Sequence, residues 1–432
     1  MKTLSGPKRM NNPSAVRLPR WVLPSMLLAL IPPLLILLVL WVLEIPNNEE
    51  VVDRYARAMR GFTNMWFAGS LAPDRMYVLF DRELYAQAIR AQFGEDFVRQ
   101  VWGYPPSMLL VAAPVSMLPL GWSFALWTLG GLFAFVAALR TREALLPWGV
   151  AVACLFAPAV WENALSGQTG AFAGGMLLAG LMTAATRPRM AGLMLGALAV
   201  KPQMGLLVPF HLIASGRWLT LAWGAAACLG MAAAAGLLFG WEAWTAFFGG
   251  TGAKMAGIMS EPWAGTPAQV NFTSPFMALR ALGVPLSLAW GGQALVAVGC
   301  IVVCWTVSRR LRHAPASSKA VGVALVVALD LLAVPYSHNY DMPALAAAAA
   351  ILFRDGMIKG NASVTERAIL ALAWVWPGAM LPVALFAPSL SAACPVLGAI
   401  ALAGVAWVGL QRALPRTETS EAQSYDGTGR PT

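Results

Sequence analysis

From Trp218 to Trp241 the chain carries no charged side chain, and the same holds from Trp21 to Leu43 and from Leu286 to Val307. A helix needs about 20 consecutive apolar residues to cross the hydrocarbon core of a bilayer. Backbone in that core has no water to bond, so runs of this length fold as helices that satisfy their own N–H and C=O groups. Several such runs in one chain make an all-α polytopic membrane protein. Composition agrees: 58% of residues are hydrophobic and 12% are charged, whereas soluble domains carry about 25% charged residues. The formal charge of +10 then reads as Lys and Arg gathered in cytoplasmic loops, not as a nucleic-acid surface. Cys154, Cys228, Cys300, Cys304 and Cys394 lie in apolar stretches without metal-ligand spacing. They read as small buried hydrophobes, not as disulfides or ligands.

Residues 1–20 are polar and basic, and Trp21–Leu43 is too long and lacks a small-residue cleavage site for a signal peptide, so it reads as an anchor with a cytoplasmic N-terminus. Residues 21–410 form the transmembrane domain, with a large outer loop at 44–103. That loop has two amphipathic stretches, about Val51–Ala68 and about Arg82–Phe93. The second puts Leu84, Ala88 and Ala91 on one face, suited to lying on the membrane surface. Further segments are expected at Gly121–Leu139, Leu146–Trp161, Thr169–Thr186, Trp218–Gly240, Leu286–Val307, Ala320–Pro335, Pro343–Phe353, Ala368–Phe386 and Ala392–Leu410. Tyr104-Pro105-Pro106 opens a short or re-entrant piece. The total comes to about 11–13 membrane segments. Residues 411–432 are a polar tail, expected to be cytoplasmic and disordered.

Lys201-Pro202-Gln203 interrupts the apolar stretch Met190–Ile213. Each flank is only about 11 residues, or roughly 16 Å of helix. Arg187 and Arg189 stand before it and Arg217 after it. If both basic ends share a side, the chain goes in, turns at Pro202, and comes back. A single Pro-kinked helix with a snorkelling lysine is the alternative. A charge and a broken backbone at that depth belong in a polar cavity. With all basic clusters placed inside, five polar elements land outside together. These are the 44–103 loop, Glu162 to Gln168, Lys201 to Gln203, the loop 241–283, and Ser337 to Asp341.

Lys201 suits a phosphate, toward which it acts as a point charge. Gln168 and Gln203 can donate to and accept from sugar hydroxyls. Arg280 is either a second anion ligand or the cap of an interfacial helix. His338 and Asp341 share a face if helical, as a base, an orienting pair or an interface cap; two ligands alone make a weak metal signal. Glu162 and Asn163 either belong to the site or end a helix. Asp330 is a carboxylate inside a span.

The order Tyr104-Pro105-Pro106, Ser166-Gly167-Gln168, Arg187-Pro188-Arg189, Lys201-Pro202-Gln203, Pro335, His338 and Tyr340-Asp341 resembles glycosyltransferase family 87. The resemblance runs from about Gly61 to Asp341. It implies a GT-C-like membrane fold and an active site on the outer face. It also implies inverting transfer of a sugar, mannose in many members, from a polyprenyl-phosphate donor to a lipid or glycan acceptor, without a nucleotide sugar; no cofactor is expected. A cell inner (plasma) membrane location is expected, and the basic clusters place both termini in the cytoplasm. Lys201, Gln203, Gln168, Arg280 and Tyr104 would bind substrate, and Asp53, Asp81, His338 and Asp341 are the catalytic candidates. Where such enzymes often carry Asp before Phe-x-Asn-x-Trp, this chain reads Gly61-Phe62-Thr63-Asn64-Met65-Trp66. The base is therefore open between Asp53 and Asp81, and a non-catalytic lipid-binding protein or a flippase stays as the alternative. Lys201→Ala is expected to abolish transfer and leave folding intact.

Overall fold

Prolines set many of the helix starts, because a residue at the first helical position needs no N–H partner. The computed structural model describes residues 60–414 apart from 73, 96, 98, 99, 141–146, 252–256 and 258. The expected anchor Trp21–Leu43, Asp53, the basic N-terminus and the tail from 415 onward lie outside the described residues. In chain order the helices used below are α1 (Arg60–Leu71), α2 (Arg82–Phe93), α3 (Leu109–Ser116), α4 (Leu120–Leu139), α5 (Trp148–Leu155) and α6 (Pro158–Ser166). They continue with α7 (Gly170–Thr183), α8 (Pro188–Gly196), α9 (Val208–Ala214), α10 (Trp218–Phe239), α11 (Pro275–Ala281) and α12 (Leu286–Arg310). The last four are α13 (Ala316–Ala333), α14 (Pro343–Lys359), α15 (Val364–Phe386) and α16 (Ala393–Ala413).

Five of these, α4, α10, α12 with its short extension to His313, α15 and α16, are long and apolar enough to cross a bilayer. The protein is an all-α polytopic membrane protein, as its hydropathy demands. Other expected crossings are shorter or broken. Leu146–Trp161 is two helices, α5 and α6, bent by 53°, since Pro158 cannot continue the first helix's bonding. The expected Thr169–Thr186 segment contracts to α7, 14 residues, or about 21 Å at 1.5 Å per residue.

The stretch around Lys201 is a hairpin, not a kinked span. Helix α8 runs alongside α10 in the same direction. A Cβ on Gly192 would sit 2.6 Å from the Thr220 carbonyl, and one on Gly196 would sit 2.4 Å from that of Gly224. The chain therefore rises through α8, turns at Lys201, and must return through α9 before α10 can rise again. On the return, Leu207 N donates to Asp330 of α13 at 2.7 Å, and one turn later His211 Nδ1 meets Ser308 of α12 at 2.8 Å. The Arg189 guanidinium lies 6.0 Å over the Trp223 ring, which puts the start of α8 beside the start of α10. Both basic flanks thus share one end of the bundle, and Lys201 stands at the other.

The loop region has its own core. Tyr85, Ile89 and Phe93 of α2 pack against Phe62, Phe67 and Leu71 of α1. The buried face of α2 is Tyr85, Ala86, Ile89 and Phe93, while Leu84 is exposed. The expected face of Leu84, Ala88 and Ala91 is not the packed one, because two aromatic rings bury more area than two alanines. Tyr85 Oη donates to Asn64 Oδ1 at 2.6 Å, and Trp66 Nε1 donates to the Leu118 carbonyl at 2.9 Å. Gly69 lets α1 cross α3 at backbone contact, 2.1 Å separating its would-be Cβ from the Ala112 carbonyl. The loop domain is thereby fixed on the membrane helices at the Lys201 end.

Candidate active site

Lys201 lies between two short 3-10 turns, Ala197–Val200 and Pro202–Gly205. Its own backbone (φ −147°, ψ 70°) belongs to neither, which is how the turn aims one side chain inward. The Lys201 ammonium forms an ion pair with Asp341 Oδ1, and both residues are buried, at 3% and 0% exposure. It also sits 5.0 Å from the centre of the Tyr340 ring. An isolated ammonium at that depth would be costly; the carboxylate and the ring face offset its desolvation.

Asp341 is held in turn by a tight turn from His338. Asp341 N donates to the His338 carbonyl at 2.9 Å, and His338 N reaches Asp341 Oδ2 at 3.4 Å. The segment before α11 clamps that turn: Asn339 N donates to the Asn271 carbonyl at 2.8 Å, and Thr273 N to the Ser337 carbonyl at 2.9 Å. The His338 ring lies between Phe272, 4.1 Å away, and Tyr340, stacked at 4.7 Å. Burial pushes the His338 imidazole down to about 4, with Asp341 pulling it up and Lys201 down. Its ring is stacked on Tyr340 and held from the other side by Phe272.

The α6–α7 corner forms the opposite wall. Gly167 ends α6 in a left-handed conformation at φ 63°, which L side chains avoid. Asn163 Nδ2 donates to the Tyr340 carbonyl at 3.0 Å, and Asn163 Oδ1 accepts from Ala171 N at 3.2 Å. Gly170 is tight against the same carbonyl: a Cβ there would lie 1.9 Å from Tyr340 O. Gln168 Oε1 accepts from Tyr104 Oη at 3.3 Å. Glu162, half-buried, lies near Asn339 and Arg60.

The structure joins Lys201, Asp341, His338, Tyr104 and Gln168 in one cluster at the hairpin tip. Gln203 stands half-buried on the turn after Lys201. Two expected site residues lie elsewhere. Asp81 caps α2, its Oδ1 accepting from Glu83 N and Leu84 N, both at 2.9 Å. Arg280 binds the carbonyls of Val284 at 3.1 Å and Glu261 at 3.2 Å, the capping role left open in the sequence. Gly61 lies against the cluster itself. A Cβ on it would meet Gln168 Nε2 at 2.1 Å and the Ser166 carbonyl at 2.8 Å, so the Gln168 amide fills the space a side chain at 61 would take.

Glu162 reads in the sequence equally as a helix end, and nothing local marks Arg60 or Asn339. Only their meeting across the fold distinguishes them; the one local signal was an acid at an apolar helix end. Among the described residues no three of His, Cys, Asp and Glu gather as metal ligands. What the cluster presents is a cation fixed by a carboxylate, a second carboxylate not committed to that cation, and hydroxyl and amide groups between them.

The sequence model of the family described as Glycosyltransferase family 87 matches residues 102–335, just over half of the 432-residue chain. No curated protein and no solved structure matches.

Proposed function

The chain belongs to glycosyltransferase family 87 and is a membrane glycosyltransferase, and on that premise we propose that it moves a sugar, mannose being the favoured one, from a polyprenyl-phosphate donor to a hydroxyl of a lipid or glycan acceptor. The reaction takes place at the outer face of the plasma membrane, with the termini cytoplasmic. The observation that carries this reading is the Lys201 tip: one buried cation already held by Asp341, with Glu162 at the same corner, next to Asn163, which donates to the Tyr340 carbonyl. A lysine ammonium has three N–H donors. The one given to Asp341 leaves two for the donor's phosphate oxygens.

In this reading Glu162 takes the proton of the acceptor hydroxyl. The acceptor oxygen forms its bond to the anomeric carbon from the face opposite the phosphate, and the bond from that carbon to the phosphate oxygen breaks. The electron pair leaves on polyprenyl phosphate, whose growing charge faces Lys201. Gln168, Tyr104 and Gln203 hold sugar or phosphate oxygens, and His338 and Asp341 position Tyr340 and Lys201. Glu162 thus supplies the carboxylate that position 61 lacks.

Purified full-length protein is to be given radiolabelled polyprenyl-phosphate mannose and membrane acceptor, and labelled product counted. Glu162→Gln is expected to lower turnover by about 10²–10⁴, the usual contribution of a general base, with the donor KM little changed. A Glu162→Gln variant as fast as wild type ends the assignment of the base, and Asp53→Asn, run in parallel, then identifies the remaining candidate. A wild type that transfers nothing but still retains the lipid points to the non-catalytic lipid-binding protein.

A further inference from the structure

The other end of the bundle holds a cavity of about 150 Å³ between α7, α9, α12 and α13. That is roughly ten times the space one water needs. Arg217, Arg312 and Lys319 line it together with His211 and Ser308, and no Asp or Glu does. Among the described residues none of these three cations pairs with a carboxylate. The basic residues of this end are expected from topology alone, since loops on one side of a membrane protein gather Lys and Arg. Topology does not explain a walled cavity into which three of them converge from three different elements.

The local backbone supports that convergence. Gly216 turns the chain from α9 to α10 at φ 69°, and the Arg312 guanidinium lies across it, 2.7 Å from where a Cβ would be. Any side chain at 216 would displace Arg312. Leu181, Met182 and Val323 supply apolar wall, and next to the turn Trp218 and Leu219 are exposed at 62% and 51%, as lipid-facing residues are. Apolar walls weaken solvent screening of the half-buried Arg217 and Lys319 and strengthen their pull on an anion. About 14 residues of α13 separate Lys319 from Ala333, or roughly 21 Å at 1.5 Å per residue, so this cavity is distinct from the Lys201 cluster.

We propose that the basic cavity at the α9–α10 turn is a binding site for a phosphate group, carried by an anionic phospholipid headgroup or by a soluble phosphate. Basic pockets between membrane helices take such headgroups, each cation strengthening binding about fivefold. Detergent-solubilised full-length protein is to be titrated with phosphatidylglycerol, and with diacylglycerol as the same lipid without its phosphate, by native mass spectrometry. Inorganic phosphate is added in a parallel thermal-shift series. The wild type is expected to retain phosphatidylglycerol and not diacylglycerol. Arg312→Gln should weaken retention about fivefold and Arg217→Gln/Lys319→Gln about 25-fold, while Arg354→Gln, at the same end but outside the cavity, changes nothing. Stabilisation by inorganic phosphate without lipid retention, lost in the same variants, assigns the site to a soluble phosphate. Equal binding of diacylglycerol, or variants that bind every probe like wild type, overturns the proposal. Arg312 is exposed, so its variant keeps the test open if the double variant fails to fold.

Discussion

Lys201 and Asp341 were both legible as unusual residues, but their pairing was not. They stand 140 positions apart, and no local pattern links a charge in one break to a charge in another. The pair changes the expectation for Lys201→Ala. Removing the lysine leaves a buried carboxylate without its partner, so folding does not stay intact. Breaking a buried pair typically costs about 3–5 kcal/mol, whereas replacing both members by apolar residues is often neutral. Asp341→Asn and Lys201→Met are each expected to lower stability by that amount, and Lys201→Met/Asp341→Leu to recover most of it while remaining inactive. Denaturant melts of the three purified proteins in detergent decide it; additive losses in the double variant would mean the two charges do not act as a pair. Gly61 gives a second test at this scale. Supplying the acid that the family resemblance leads one to expect at position 61 invites the thought that Gly61→Asp raises activity. The Gln168 amide and the Ser166 carbonyl already occupy that space, and overpacking costs about 1–3 kcal/mol. Gly61→Asp is expected to lower the melting temperature and slow transfer; faster transfer at unchanged stability would show that Gln168 yields its place freely.

At the scale of elements the sequence was most informative where hydrophobicity alone decides. Gly121–Leu139 and Trp218–Gly240 are met almost to the residue by α4 and α10. It was least informative where two solutions share one hydropathy pattern. A kinked span and a hairpin around Pro202 differ only in which helix α8 lies against, and that is set by small residues. Gly192 and Gly196 allow α8 to touch the α10 backbone, the close approach that glycine provides between membrane helices. The same limit explains the face of α2, where a helical wheel ranks residues by apolarity but not by the aromatic partners that α1 offers. Gly196→Val is expected to wedge α8 from α10, shift the Lys201 turn and lower donor turnover by tenfold or more, at a stability cost of about 1–3 kcal/mol. Gly230→Val on α10, where nothing stands within 4 Å of the added carbon, should leave both unchanged. A Gly196→Val protein with wild-type kinetics would show that the α8–α10 contact does not position the tip.

Across the whole molecule, charge and chemistry divide between two ends. One end holds Arg189, Arg217, Arg309, Arg310, Arg312, Lys319 and Lys359, and the other holds the Lys201–Asp341 pair, Glu162 and Gln168. Helix α10 has 22 residues, or about 33 Å, which matches a hydrocarbon core of about 30 Å. The register that sets Gly196 beside Gly224 brings Lys201 about halfway along that helix, counted from the basic end. An excess of Lys and Arg marks the cytoplasmic face, and on that rule we propose that the tip of the hairpin opens toward the outer face, although its two limbs never complete a crossing. A single-cysteine series in a cysteine-free background checks this. Gln203→Cys at the tip is expected to react with an impermeant maleimide added to intact cells, and Arg309→Cys only after the membrane is opened. Substrate analogue bound at the tip should slow the first reaction and not the second. If both positions react from the same side, α8 and α9 are not the limbs of a hairpin and the charge division does not follow the membrane. If Gln203→Cys reacts only from the cytoplasm, the inside-outside order is reversed, and a lipid-linked donor must reach Lys201 from the inner leaflet.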